Sequence, residues 1–282
     1  LLTHTGGIGE APTRAHLLDP ESELWSDSAE LLDAPQRYPE GIEIEIDPGT
    51  KWSYANHGFG LLGDILVQLE DKPLADIFRD RIFRPLDMRD SDIRDKTHYN
   101  LAPGYHRALT SEQRASRGNS HLWALENPPE DDQHIRGGHI FLPIPAAGAV
   151  QSSARDMARY IAALLDRGAG IVDLATFDEM VKLHWRPHPR LMGVGLAFML
   201  EARAGHESIG HGGSIAGGWN TELAVFPQHN LGCILNFNLD DPETTPARAQ
   251  IIQAVLDATP DPTPHLPLDP MIAATAPGTY ES

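Results

Sequence analysis

Residues 210–227 read GHGGSIAGGWNTELAVFP. Five glycines lie in the first half of this run and an apolar, alternating segment in the second. Glycine weakens a strand interior but lets another backbone approach closely. The pattern predicts a glycine-rich turn feeding a strand. The neighbouring runs VGLAFMLEA (194–202), ESIGHGG (207–213), WNTELAVFP (219–227) and LGCILNFN (231–238) are short, apolar or alternating, and divided by turn residues. Such spacing predicts an antiparallel meander. A helix, ARAQIIQAVLDA, closes it, and a Pro-rich stretch, TPDPTPHLPLDP (259–270), reads as a linker.

The first half of the chain has a different character. GIEIEID (41–47) alternates apolar and acidic residues, as a short half-exposed strand does. From His57 to Glu70 the residues Phe59, Leu62, Ile65, Leu66 and Leu69 recur at three- and four-residue steps, which predicts a helix buried along that stripe. Pro73 opens a second helix carrying Leu74, Ile77, Phe78, Ile82 and Phe83, and Pro85 stops it. Residues 87–140 are polar and weakly patterned, and read as a long excursion with little regular structure. In SSARDMARYIAALLDRG (152–168), Ser153 and Asp156 have capping-box spacing, Met157, Tyr160, Ile161 and Leu164 form the inner stripe, and Gly168 ends the helix.

Composition sets outer bounds. The chain has 282 residues, 41 % of them hydrophobic, enough for a sizeable core. Its formal charge of −18 disfavours nucleic acid as a partner. No stretch approaches the twenty or so apolar residues of a membrane span. The single cysteine, Cys233, lies in an apolar run and reads as a core thiol; it excludes an internal disulfide and a zinc site built on Cys pairs. His184 and His188 are four apart, but Pro187 breaks any helix between them, and His134 and His139 merely flank IRGG, so neither pair reads as a metal site. Trp123 and Trp219 are candidates for lining a cleft. GGSIA around Ser214 lacks the strand-before, helix-after context of a nucleophile elbow.

Five segments in order carry a resemblance: LLTHTGGI (1–8), YAN (54–56), IFRPLDM (82–88), PAAGAVQSSARDMARY (145–160) and GHGG (210–213). Together they resemble the serine β-lactamase and penicillin-binding-protein superfamily, in the branch of class C β-lactamases, D-alanyl-D-alanine carboxypeptidases, D-aminopeptidases and related esterases. The resemblance spans about residues 1 to 240. It implies an α+β fold: an antiparallel sheet flanked by helices beside a helical region, with YAN on the helical side of a cleft and HGG on the sheet edge. The domain would cover 1–258, and 259–282 would be a linker and the start of a small C-terminal β-barrel.

The resemblance also assigns roles. Tyr54 is similar to the general base and Asn56 to its amide partner. His211, Gly212 and Gly213 match a Lys-Thr-Gly position, with the Ser214 backbone N–H as an oxyanion donor. His4 falls in a matching segment but reads as structural. The implied chemistry is acyl transfer from an amide or ester to water through a serine ester, with no metal or organic cofactor. Gly212 lacks the usual hydroxyl, which favours esterase or peptidase over β-lactamase activity. The nucleophile is missing, however. Positions 48, 69, 93 and 179, three before each lysine, are Pro, Leu, Ile and Glu, so no Ser-x-x-Lys exists here. The expectation is that it lies upstream of Leu1, and that this chain alone is silent. The rival expectations are a non-catalytic member binding a peptide or cell-wall-like ligand, and a metal-dependent hydrolase.

Overall fold

A computed structural model describes residues 1–9, 37–94, 101–107, 134–137, 144–203, 205–215, 218–241 and 244–259. Its centre is a five-stranded antiparallel sheet in meander order, β3-β4-β5-β6-β7. The strands are β3 (Gly193–Val194), β4 (Met199–Arg203), β5 (His206–Ile215), β6 (Trp219–Phe226) and β7 (Leu231–Phe237). Strand β6 explains the layering. Leu223 and Val225 point to one face, where they pack with Ile161, Leu164, Phe177 and Phe198. Ala224 and Phe226 point to the other, against Ile252 and Leu256. A strand buried on both faces needs apolar residues at every position, and ELAVF supplies them after Glu222.

Two helices, α4 (Ala154–Leu165) and α5 (Leu174–Val181), cover the first face; α6 (Thr244–Asp257) covers the second. The start of α4 follows the sequence reading. Ser153 is the N-cap, and its Oγ accepts from the Asp156 N–H at 3.2 Å. Asp156 itself is only 1 % exposed. Its carboxylate accepts from the Asp90 N–H (2.7 Å), the Ser91 hydroxyl (2.8 Å) and Arg159 (2.9 Å). That network ties α4 to the segment after the second helix.

The first part of the glycine-rich half, Gly210 to Ile215, is strand and not turn; Gly218 lies in a turn. Gly210 to Ile215 is the second half of β5, in register with Trp219 to Ala224. The glycines are tolerated because β6 lies so close behind them: a Cβ on Gly210 would fall 2.0 Å from the Leu223 carbonyl oxygen.

Helix α1 (Asn56–Glu70) forms as expected, but its buried face differs from the expected one. The buried residues are His57, Gly58, Gly60 and Gly63, whereas Ile65, Leu66 and Leu69 are exposed, Leu69 at 77 %. Close backbone approach decides this. A Cβ on Gly60 would sit 2.7 Å from Ile144 Cγ2, and one on Gly63 2.6 Å from Ala146 Cβ in the short helix α3 (Pro145–Gly148). Helix α2 (Leu74–Phe78) has Pro73 as N-cap and continues as a π-helical turn, Arg79–Phe83.

Two further expectations need correction. GIEIEID is not a strand; one isolated bridge, Ile8 to Ile44, is its only ladder contact among the described residues. One backbone bond accompanies the bridge, from the Glu45 N–H to the Gly7 carbonyl at 2.9 Å, too little to make a ladder. The 87–140 excursion, in turn, contains regular structure. Its strands β1 (Tyr105–Arg107) and β2 (His134–Arg136) pair antiparallel, and β1 pairs parallel with β8 (Leu239–Asp240). The 259–282 reading lies almost wholly outside the described residues.

Asp156→Ala leaves three partly buried donors, the Asp90 N–H, the Ser91 hydroxyl and Arg159, without this acceptor. Urea unfolding should show a loss of about 1.5–3 kcal/mol, with Asp156→Asn losing less. A loss below about 1 kcal/mol would mean that this network does not fasten α4.

Candidate functional site

The site begins at a histidine that is not itself reactive. In LLTH the His4 N–H donates to the Leu1 carbonyl at 2.9 Å, and His4 sits at φ +55°. This turn aims the imidazole at the segment before α1. His4 Nδ1 accepts from the Ala55 N–H at 3.0 Å, and the His4 carbonyl accepts from the Ser53 N–H at 2.8 Å. Tyr54, between these two bonds, stacks on the His4 ring at 4.3 Å and 25°. Phe59 and Trp52 close around the same ring at 5.0 and 6.0 Å. An accepting Nδ1 requires the neutral ring with its proton on Nε2. Burial, and next the His211 charge, lower the His4 pKa from 6.5 to about 4. His4 therefore braces the Tyr54 loop.

Ala55, not Asn56, is the N-cap of α1, and Asn56 is the first helical residue. Both Tyr54 and Asn56 thus sit where the chain turns into the helix. Across a gap, the Tyr54 ring lies 6.1 Å from the His211 ring, at 45°. These two residues are 157 positions apart in sequence and belong to different layers.

Strand register explains why His211 is available. β4 pairs with β5 only from Arg203↔His206 to Met199↔Gly210. β6 pairs with β5 as far as Ile215↔Trp219. His211 to Ile215 therefore has a strand neighbour on one side only, among the described strands. Such an edge presents N–H and C=O groups that can pair with an extended backbone. Gly212, Gly213 and Ser214 lie along it, opposite Glu222, Thr221 and Asn220. The His211 Nδ1 faces the Gly212 carbonyl at 2.5 Å.

A cleft of about 400 Å³ runs along this edge. Tyr54, His211, Met192 and Met199 line it together with Gly212 to Ser214 and a charged group, Glu201, Arg203, Glu222 and Arg248. The sequence reading missed this charged group. Its members come from β4, β6 and α6, and no spacing rule joins them. The one available signal was Glu222 itself, an acid in the otherwise apolar NTELAVF. Also missed was the stack of Trp52 on Trp185, at 6.2 Å and 19°.

Other candidates fall elsewhere. Trp219 is not among the cleft residues; its Nε1–H donates to the Ala102 carbonyl at 3.0 Å and pins the start of β6. Trp123 and His139 lie outside the described residues. His184 Nε2 lies 2.9 Å from the Glu179 carbonyl oxygen, and His188 Nδ1 accepts from the Arg190 N–H. No group of three His, Cys, Asp or Glu that could hold a metal occurs among the described residues. Burial, then the Glu222 charge, push the Cys233 thiol pKa up, away from a reactive thiolate.

A family model described as Beta-lactamase matches residues 1–257. The D-alanyl-D-alanine-carboxypeptidase/endopeptidase AmpH of Escherichia coli K12 is 26 % identical over 214 residues, 71 % of this chain and 48 % of that protein. A D-aminopeptidase of Brucella ovis is 39 % identical over 59 residues, 21 % of this chain and 11 % of its own. Among solved structures, the octameric penicillin-binding protein homologue of Pyrococcus abyssi superposes with a TM-score of 0.68 at 20 % identity, over 91 % of this chain and 55 % of that one. The D-amino acid amidase of Ochrobactrum anthropi SV3, complexed with L-phenylalanine amide, gives 0.67 at 23 % identity, over 91 % and 71 %. These likenesses show the fold: it is that of β-lactamases and penicillin-binding proteins. The chain spans about half the length, 48 %, of the first curated relative it matches.

The lowered His4 pKa makes stability pH-dependent. Folded His4 resists the proton until about pH 4, whereas the unfolded chain takes it near 6.5. Stability is therefore complete above 6.5 and falls as pH drops from 6.5 to 4. The difference in urea midpoint between wild type and His4→Gln should shrink over that window. A constant difference would mean that His4 titrates normally.

Proposed function

The chain belongs to the Beta-lactamase family, and from that premise we propose that it forms the base-bearing side and the sheet edge of a serine acyl-transfer site, hydrolysing an amide or ester. The observation carrying this reading is the approach of Tyr54 to His211, 6.1 Å between rings, at the open edge of β5. A serine hydroxyl needs a neighbouring base, and a phenolate serves when cations lower its pKa. In this reading Tyr54 is that base, Asn56 its amide partner, and His211 a cation-capable group facing it. Gly212 and Gly213 admit the substrate backbone, and the Ser214 N–H is an oxyanion donor. The nucleophilic serine and its lysine belong, in this proposal, to sequence outside these 282 residues, because Ser-x-x-Lys occurs nowhere within them.

The steps balance without a cofactor. The serine oxygen bonds to the substrate carbonyl carbon while its proton passes to the Tyr54 oxygen. The tetrahedral intermediate collapses by breaking the bond to nitrogen or oxygen, and Tyr54 returns the proton to that leaving atom. Water then attacks the serine ester, giving up a proton by the same route and releasing the acid and the serine. The names of the relatives, a carboxypeptidase and a D-aminopeptidase, support peptide-like amides as substrates. The domain is taken to end at residue 258, one beyond the 1–257 family match, with the Pro-rich 259–282 read as a linker.

Intact mass after exposure to a fluorophosphonate, and separately to a penicillin, tests this. The 282-residue chain should gain no adduct. A chain preceded by a segment carrying Ser-x-x-Lys should gain one, and there Tyr54→Phe should slow acylation by roughly 10²–10⁴. An adduct on the short chain would overturn the placement of the nucleophile, and peptide mapping would begin at Ser214.

A further inference from the structure

Glu222 occupies an unusual place. It is buried in β6, and its carboxylate lies over the position where Gly212 has no side chain. A Cβ on Gly212 would be 3.3 Å from Glu222 Oε2 and 3.8 Å from Oε1. Two guanidinium groups converge on this one carboxylate. Arg203 Nη2 is 2.6 Å from Oε1, and Arg248 Nη1 is 3.4 Å from Oε2. Arg203 also pairs with Glu201, and Arg248 also donates to the Thr221 carbonyl at 3.1 Å. All four charged groups line the cleft that holds Tyr54 and His211.

The charges cancel. Two arginines face two glutamates, so this end of the cleft carries no net charge. A free carboxylate arriving along Gly212 to Ser214 would lose its hydration and meet arginines already neutralised. It would also approach Glu222 through a glycine, with no intervening side chain to shield one anion from the other. An uncharged carboxamide or ester in the same place escapes both penalties.

Resting on the acyl-transfer reading of this cleft, we propose that Glu222 is a specificity-determining positioning residue: by neutralising Arg203 and Arg248 behind Gly212, it directs the site toward substrates with an uncharged amide or ester there and away from those with a free carboxylate. Glu222 acts through the field it imposes and through the arginines it holds. Its replacement by Gln leaves two arginines facing one glutamate, and the same cleft becomes net cationic.

The test measures a ratio of affinities and requires no turnover. The protein is titrated, by chemical-shift perturbation, with N-acetyl-D-alanyl-D-alanine and with its C-terminal carboxamide. Wild type should bind the amide at least as tightly as the acid. Glu222→Gln should move the acid-to-amide affinity ratio toward the acid by roughly tenfold, and added salt should erase that gain. The charge-balanced double variant Glu222→Gln, Arg203→Gln should return the ratio to the wild-type side, which a purely structural role would not do. If Glu222→Gln fails to fold, Glu201→Gln removes the other, less buried partner of Arg203 and should shift the ratio in the same direction. Preference for the acid in wild type overturns the proposal. So does an unchanged ratio in the folded variants, or binding of neither ligand. A failure here leaves the serine chemistry standing if the extended chain is acylated; a lack of acylation there leaves this ratio interpretable as a property of the cleft.

Discussion

The site exists because one strand stops short of its neighbour. β4 ends its pairing at Met199↔Gly210, while β5 runs on to Ile215. Each backbone N–H and C=O beyond Gly210 on that side must find another partner. An edge of this kind invites an extended chain, and natural sheets usually blunt it. Here, among the described residues, the middle of that edge carries glycine and a small serine, and Gly212 and Ser214 are exposed. The depth of the cleft follows from the same residues, since larger side chains at 212 and 213 would press on Glu222 and Thr221.

The opposite wall is set by a polar core bond. The neutral His4 ring, accepting from Ala55 and stacked on Tyr54, fixes the last residues before α1. Tyr54 is held through its ring face and through the backbone bonds of Ser53 and Ala55 on either side. A side chain fixed in this way is pre-organised for chemistry at its far end.

Legibility in the sequence followed locality. The capped start of α4 was legible because Ser153 and Asp156 are three residues apart and bond directly. The meander was legible because each strand alternates or is apolar between turn residues. The burial of α1 was not, since Gly60 and Gly63 are buried by a helix some eighty residues away, and glycine carries no hydrophobic signal. GIEIEID had the right alternation, yet a strand is a relation between two segments, and among the described residues it pairs through one isolated bridge, Ile8 to Ile44. In the cleft, Tyr54 and His211 could be picked out through motif resemblance. Arg203, Glu222 and Arg248 could not, because only folding brings β4, β6 and α6 to one point.

The inverted burial of α1 has a consequence for behaviour in solution. Ile65, Leu66 and Leu69 stand on the surface of a chain whose formal charge is −18. At low ionic strength, like charge keeps such molecules apart and their apolar stripes never meet. Added salt shortens the reach of that repulsion to about 10 Å at 0.1 M, while leaving the attraction between stripes intact. The molecule is thus colloidally protected by its acidity, and salt weakens that protection.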